Sequence, residues 1–151
     1  MKHFLSFASI CCLITVFTTI FIHLIPYQEL SFDERAFLYK DATYNNQKLI
    51  IVAHCFFFLM AMWGMFLVLR KKSFAYGGLG MIFFGIFSLT EIIRQLLILF
   101  YLNGLREKYL EATNETSKEI IKIMIENFGF INFMLFTIFI IACGLGAIFY
   151  G

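Results

Sequence analysis

Two side chains of opposite charge stand three residues apart inside a long apolar segment. Glu91 and Arg94 lie within residues 74–102, and Gln95 follows directly. This spacing puts the two charges on one face of a helix, close enough for an ion pair. A charge in hydrocarbon costs about 2.5–3.5 kcal/mol on insertion scales, so such groups normally face a protein interior or a wet cavity. The pattern is typical of a structural ion pair, and also of a site where Arg94 holds an anionic or carbonyl group or Glu91 titrates during transport.

The elements that position these residues follow from composition. Of the 151 residues, 61% are hydrophobic, and Phe alone occurs 21 times. A membrane core of about 30 Å needs roughly 20 helical residues. Four segments are long enough: 4–25, 49–69, 74–102 and 128–150. The sequence therefore predicts an all-α, polytopic integral membrane protein, with residues 1–151 forming a single domain of four transmembrane helices in an up-down bundle.

The charges in the connections predict an orientation. Arg70, Lys71 and Lys72 fill the tight turn between the second and third segments. Short loops rich in Lys and Arg stay in the cytoplasm. We therefore expect both termini on the cytoplasmic side and the two longer connections, 27–48 and 103–127, on the outer side.

Each outer connection contains the spacing of a capping box, in which a hydroxyl caps a helix and a Glu three residues later reaches back. The pairs are Ser31 with Glu34 and Thr116 with Glu119. We predict a short amphipathic helix from each, the second leading into the fourth segment and extending it above the bilayer.

Helical rise and phase bring the polar residues of the four segments together in the outer half of the bundle. The inward face of the first segment is expected to carry Ser9, Cys12, Thr19 and His23. The third is expected to turn inward Gly77, Gly80, Phe84, Ser88, Glu91, Arg94, Gln95 and Ile98. The prediction is a polar cavity lined by Glu91, Arg94, Gln95, His54, Asn132 and His23.

Two of these residues, His23 and His54, stand on neighbouring segments, and imidazole is a common ligand of haem iron and other metals. Their estimated depths differ by several ångströms, however, and the sequence contains neither HxxxH nor CxxC. We therefore predict no metal site and no cofactor, with bis-histidine haem through His23 and His54 as the alternative.

The sequence contains no P-loop, nucleophile elbow or HExxH motif, and no Ser or Cys nucleophile with an obvious base. We assign no catalytic residue. The net charge of +2, without basic residues interleaved with aromatics on a polar surface, disfavours nucleic acid as a partner.

The preferred hypothesis is binding or transport of a small molecule, ion or lipid-like ligand through the outer cavity. Membrane lipid is the expected surrounding partner, and a homo-oligomer is expected because four spans are few for a solitary transporter. The alternatives are a non-catalytic subunit of a larger membrane complex and, third, a membrane-embedded enzyme or b-type haem protein.

Overall fold

A computed structural model describes residues 2–24 and 30–150, apart from the side chains of Lys2 and His23. The described residues form helices and no strands, so the all-α prediction is confirmed. The helices are α1 (Lys2–Leu24), α2 (Phe32–Ala36), α3 (Ala42–Leu69), α4 (Phe74–Leu96), α5 (Asn103–Glu111) and α6 (Glu115–Tyr150). A 3₁₀ turn, Phe37–Lys40, follows α2. Four helices are long and apolar enough to cross a membrane: His3–Ile22, Ala42–Leu69, Phe74–Glu111 and Glu115–Tyr150.

The second long helix begins earlier than residue 49, the predicted start. Asp41 caps α3, because its carboxylate accepts hydrogen bonds from the backbone N–H groups of Thr43 and Tyr44 at 2.7 and 3.2 Å. These bonds satisfy donors that the first turn of a helix leaves free. Polar residues that were assigned to the connection 27–48 therefore belong to the first turns of α3.

The third long helix continues past residue 102, the predicted end of its membrane segment, to Glu111. A π-helical segment, Leu97–Leu102, joins α4 to α5 without a break. The N–H of Asn103 donates to the carbonyl of Ile98, five residues back, which is the hydrogen bond of a π-helix. The extra residue in this turn rotates α5 relative to α4. Residues after the π segment consequently face a direction that a plain α-helix would not give them.

The two predicted capping boxes had different outcomes. At Ser31 the box is present: its Oγ accepts from the N–H of Glu34, and its N–H donates to the Glu34 carboxylate at 2.8 Å. Hydrogen bonds from the Ser31 side chain and backbone hold the pKa of Glu34 below its ordinary value. At Thr116 the box is absent, because Asn114 Oδ1 instead accepts from the Thr116 N–H at 2.9 Å. The second amphipathic segment is the start of α6, which runs unbroken into the fourth predicted span, so the expected continuity of the two is present.

The four long helices pack in chain order, α1 against α3, α3 against α4, and α4 against α6. The rings of Phe87 and Phe139 stack between α4 and α6 with centroids 4.3 Å apart. Further along the same continuous helix, Tyr101 lies 5.9 Å from Phe128. Rising residue numbers in α4 and its continuation pair with falling residue numbers in α6, so these two helices are antiparallel. The predicted inward face of the third segment is confirmed, since all its members except the partly exposed Arg94 are buried.

The predicted inward face of α1 is wrong. Ser9, Cys12 and Thr19 are exposed, whereas Ala8 and Cys11 are buried. Ala8 meets Gly64 of α3 so closely that a Cβ on that glycine would overlap the Ala8 methyl. Small residues permit such close backbone approach, and here they select the contact face in preference to the polar side chains.

This contact predicts that Gly64→Ala destabilises the protein by about 1–3 kcal/mol, the usual cost of overpacking. Gly78→Ala is the matched control, because a Cβ at Gly78 has no neighbour within 4 Å. That substitution should be neutral or stabilising by up to about 1 kcal/mol through helix propensity. Unfolding of both variants in detergent, followed by circular dichroism, measures the difference, and equal stability would contradict the tight α1–α3 contact.

Candidate functional site

A polar cluster occupies the buried face of α4. Both oxygens of the Glu91 carboxylate bind Arg94: Nε donates to Oε2 at 2.7 Å and Nη2 to Oε1 at 2.6 Å. Gln95 Nε2 adds a third hydrogen bond to Oε1 at 2.7 Å. A bidentate pair of this kind is among the stronger hydrogen-bonded arrangements of proteins. The Glu91 charge is therefore fully met by residues of its own helix.

Arg94 connects this cluster to α6. Its Nη1 donates to Asn132 Oδ1 at 3.4 Å, and its guanidinium carbon lies 5.5 Å from the centroid of the Phe136 ring. The Arg94 side chain is 18% exposed, compared with 6% for Glu91. Glu91 is thus sealed inside, whereas Arg94 reaches the edge of the cluster.

Ser88 and Gln95 retain hydrogen-bonding capacity at the buried end of the cluster. Ser88 Oγ and Gln95 Oε1 are buried, and neither has a hydrogen-bond partner within the described ranges. A buried polar atom without a partner costs about 1–3 kcal/mol. The buried face of α4 therefore carries two polar atoms, Ser88 Oγ and Gln95 Oε1, that no described hydrogen bond satisfies.

A cavity of about 1000 Å³ lies beside Arg94, between α2, the start of α3, the π segment and α6. This volume is at the upper end of the range for small-molecule sites. Its wall combines four cationic side chains, two acidic ones and a mainly apolar remainder. The cations are Arg35, Lys48, Arg94 and Arg106; the acids are Asp41 and Glu126; the apolar wall includes Phe32, Leu38, Ile98, Leu102, Ile125 and Phe128.

The structure brings together four of the six predicted site residues. Arg94 and Asn132 line the cavity, and Glu91 and Gln95 stand behind Arg94. His54 is elsewhere, with Nδ1 2.7 Å from the hydroxyl of Thr18 between α1 and α3.

The side chain of His23 lies outside the described residues, so haem ligation by His23 and His54 stays a prediction. Within the described part of the chain, no three His, Cys, Asp or Glu side chains are grouped to hold a metal ion.

Sequence reasoning missed the residues at the other end of the cavity. The Lys48 ammonium lies 4.5 Å from the Tyr44 ring centroid, and the Arg106 guanidinium carbon 5.3 Å from it. Arg106 also donates to the Tyr44 hydroxyl at 3.3 Å and to Asn103 Oδ1 at 3.0 Å. Two signals were available: Tyr44 and Lys48 stand one helical turn apart after the capping Asp41, and Arg106 follows Leu102 by four residues.

Hydrogen bonds hold this end of the cavity together. Asn103 Nδ2 donates to Asn45 Oδ1 at 2.9 Å, which joins the third long helix to α3. Asn45 Nδ2 donates to the carbonyl of Tyr39 at 2.8 Å, which fixes the 3₁₀ turn against α3. These bonds connect three elements around the cavity through side-chain amides.

The chain matches no protein-family model, and neither the curated proteins nor the solved structures contain a significant match to it. The site must therefore be interpreted from its own chemistry.

The buried ion pair predicts an ordered set of stabilities. Arg94→Met leaves the Glu91 carboxylate buried with Gln95 alone and should cost about 3–5 kcal/mol. Adding Glu91→Gln removes the stranded charge, so the double variant should be more stable than Arg94→Met. Adding Glu107→Gln, at an exposed position of α5, should restore nothing. Unfolding of the detergent-solubilised variants by titration with sodium dodecyl sulfate measures the order, and a double variant no more stable than Arg94→Met would refute this view of the pair.

Proposed function

We propose that this protein is a four-span integral membrane protein, an up-down bundle that binds a small molecule in the cavity beneath α2. The observation that carries the proposal is the cavity itself, about 1000 Å³ in volume, with cationic side chains on a largely apolar wall. Sites for small molecules combine these properties, since the apolar wall supplies affinity and the few polar groups fix orientation.

The surface of the long helices supports membrane insertion. Phe17 of α1 and Phe130 and Ile148 of α6 are 71%, 73% and 72% exposed. Apolar side chains exposed along helices of this length are what lipid contact requires. The basic turn from Arg70 to Lys72 argues for a cytoplasmic side at that end. The cavity lies at the opposite end of α3, so the proposed orientation gives it an outer-half position and puts both termini in the cytoplasm.

The π segment supports binding in this cavity. Ile98 and Leu102 belong to it and line the cavity wall. Isolated π turns are rare and occur frequently at functional sites, because they weaken the local backbone in exchange for re-aiming side chains. Here the turn precedes Arg106, which faces the cavity.

Filling the cavity tests the proposal. Gly129 lines it, and a Cβ at Gly129 would have no neighbour within 4 Å, so a side chain can begin there without a clash and Gly129→Trp should fill part of the cavity. Gly144→Trp is the matched control, on the same helix and equally unobstructed, but outside the cavity wall. Native mass spectrometry of protein extracted gently from its own membrane should detect a bound small molecule on the wild type and on Gly144→Trp, and at least ten times less on Gly129→Trp.

Two results would count against the proposal. Equal retention of the small molecule by both tryptophan variants would put the ligand elsewhere. A different protein chain bound stoichiometrically, with no small molecule, would make this protein a subunit of a larger complex. Thermal unfolding of the two variants shows whether any loss on Gly129→Trp reflects the cavity or the fold.

A further inference from the structure

The chemistry of the wall identifies the class of ligand, provided that the cavity binds one as proposed above. We infer that the ligand is an amphiphile with an anionic group, a carboxylate or a phosphate, which Lys48 and Arg106 hold on either side of Tyr44. Its apolar part lies along Ile98, Leu102 and Phe128.

Neither Lys48 nor Arg106 forms an ion pair with a carboxylate of the described part of the chain. The ion pairs there are Arg94 with Glu91 and Lys118 with Glu115, and neither involves these two cations. Both cations lie against the same ring, so they are at most about 10 Å apart. Arg106 is 6% exposed. Enclosing two like charges in a partly apolar wall is unfavourable, and contact with an aromatic face returns only about 0.5–2 kcal/mol each.

The other charged groups of the wall are less suited to bind the anion. Arg94 directs two of its donors to Glu91 and a third to Asn132. Asp41 accepts two backbone hydrogen bonds at the start of α3. Glu126 lines the cavity but forms no ion pair with the described cations. Arg35 also lines the cavity and forms no ion pair, but it is exposed, so water can solvate its charge. The unpaired positive charge that is at least partly buried therefore lies at Lys48 and Arg106, and an anionic ligand supplies its missing partner.

The apolar wall determines the rest of the ligand. Ile98, Leu102 and Phe128 form one buried cluster, with Leu97 and Ile125 packed against it. A cavity of about 1000 Å³ is far larger than an inorganic anion, which would occupy only the end at Lys48 and Arg106 and leave the apolar wall uncovered. An anionic head on a hydrocarbon chain satisfies both halves of the wall. A membrane lipid and a free fatty acid share this chemistry.

The experiment compares an anionic probe with its neutral analogue. Wild-type protein is reconstituted into nanodiscs of phosphatidylcholine, and binding of cis-parinaric acid and of the corresponding alcohol is followed by fluorescence. The acid should bind at least about 10-fold more tightly than the alcohol. Lys48→Gln and Arg106→Gln should each weaken binding of the acid about 10-fold or more, as expected for the loss of a hydrogen bond to a charged group, and leave the alcohol unchanged.

Three controls separate charge recognition from folding. Lys108→Gln removes an exposed cation of α5 outside the cavity wall and should change neither affinity. Lys48→Arg and Arg106→Lys keep the charge and should retain most of the preference for the acid. If the glutamine variants unfold, these conservative variants still decide the matter, because losing the preference in both while remaining folded would contradict the inference.

Competition identifies the source of the anion. If phosphatidylglycerol in the nanodisc displaces the acid, a membrane lipid headgroup occupies the site; if it does not, the ligand is a free amphiphile. Inorganic phosphate should not compete beyond its effect on ionic strength. Equal affinity for acid and alcohol, or no binding of the acid, would overturn the inference. The proposed function would still stand if Gly129→Trp removed the natural ligand, so the two failures are distinguishable.

Discussion

The Glu91 carboxylate is the constraint on which the arrangement of α4 depends. A carboxylate in apolar surroundings must have its lone pairs met by donors, and three donors from Arg94 and Gln95 meet them here. The pair is still charged, and charges in hydrocarbon are costly, so the face of α4 that carries it turns inward, where Arg94 also donates to Asn132 of α6. Glycines and phenylalanines on the same face then pack against α3 and α6. The polar cluster and the close helix contacts therefore share a single helical face, and the rotation that buries one also forms the other.

The π segment, Leu97–Leu102, lies beside the cavity and changes which side of the helix faces the protein interior. Before it, the inward face of α4 is used for the Glu91 cluster and for packing. After it, the helix presents Asn103 to Asn45 and Arg106 to Tyr44, and both bonds cross to α3. The same continuous helix thus supplies a packed core along one part of its length and a cationic wall along the next.

The inward face of α4 could be predicted from the sequence because its small, aromatic and polar residues recur at the spacing of one helical face. The inward face of α1 was not, since its hydroxyl groups bond to carbonyls of their own helix, as Ser9 does to Leu5 and Thr19 to Thr15. A residue that satisfies itself in this way does not have to face the protein interior. What selected the α1 face was instead the fit of Ala8 against Gly64, a property of two helices that neither sequence pattern shows alone.

The helices extend beyond the predicted membrane segments for a related reason. Hydropathy ends a segment where charges begin, but a helix ends where its backbone hydrogen bonds end, and Asp41 and the π segment carried them further in both directions. Lys48 and Arg106 lie in the predicted connections, whereas the candidate site residues of the sequence lie inside the apolar segments. As a site for a charged ligand, the pair Lys48 and Arg106 is better suited than the pair Glu91 and Arg94. Glu91 and Arg94 already neutralise each other, so a charged ligand would have to compete with an intact ion pair. Lys48 and Arg106 share only an aromatic ring, so an anion that reaches them gains attraction without breaking an existing pair.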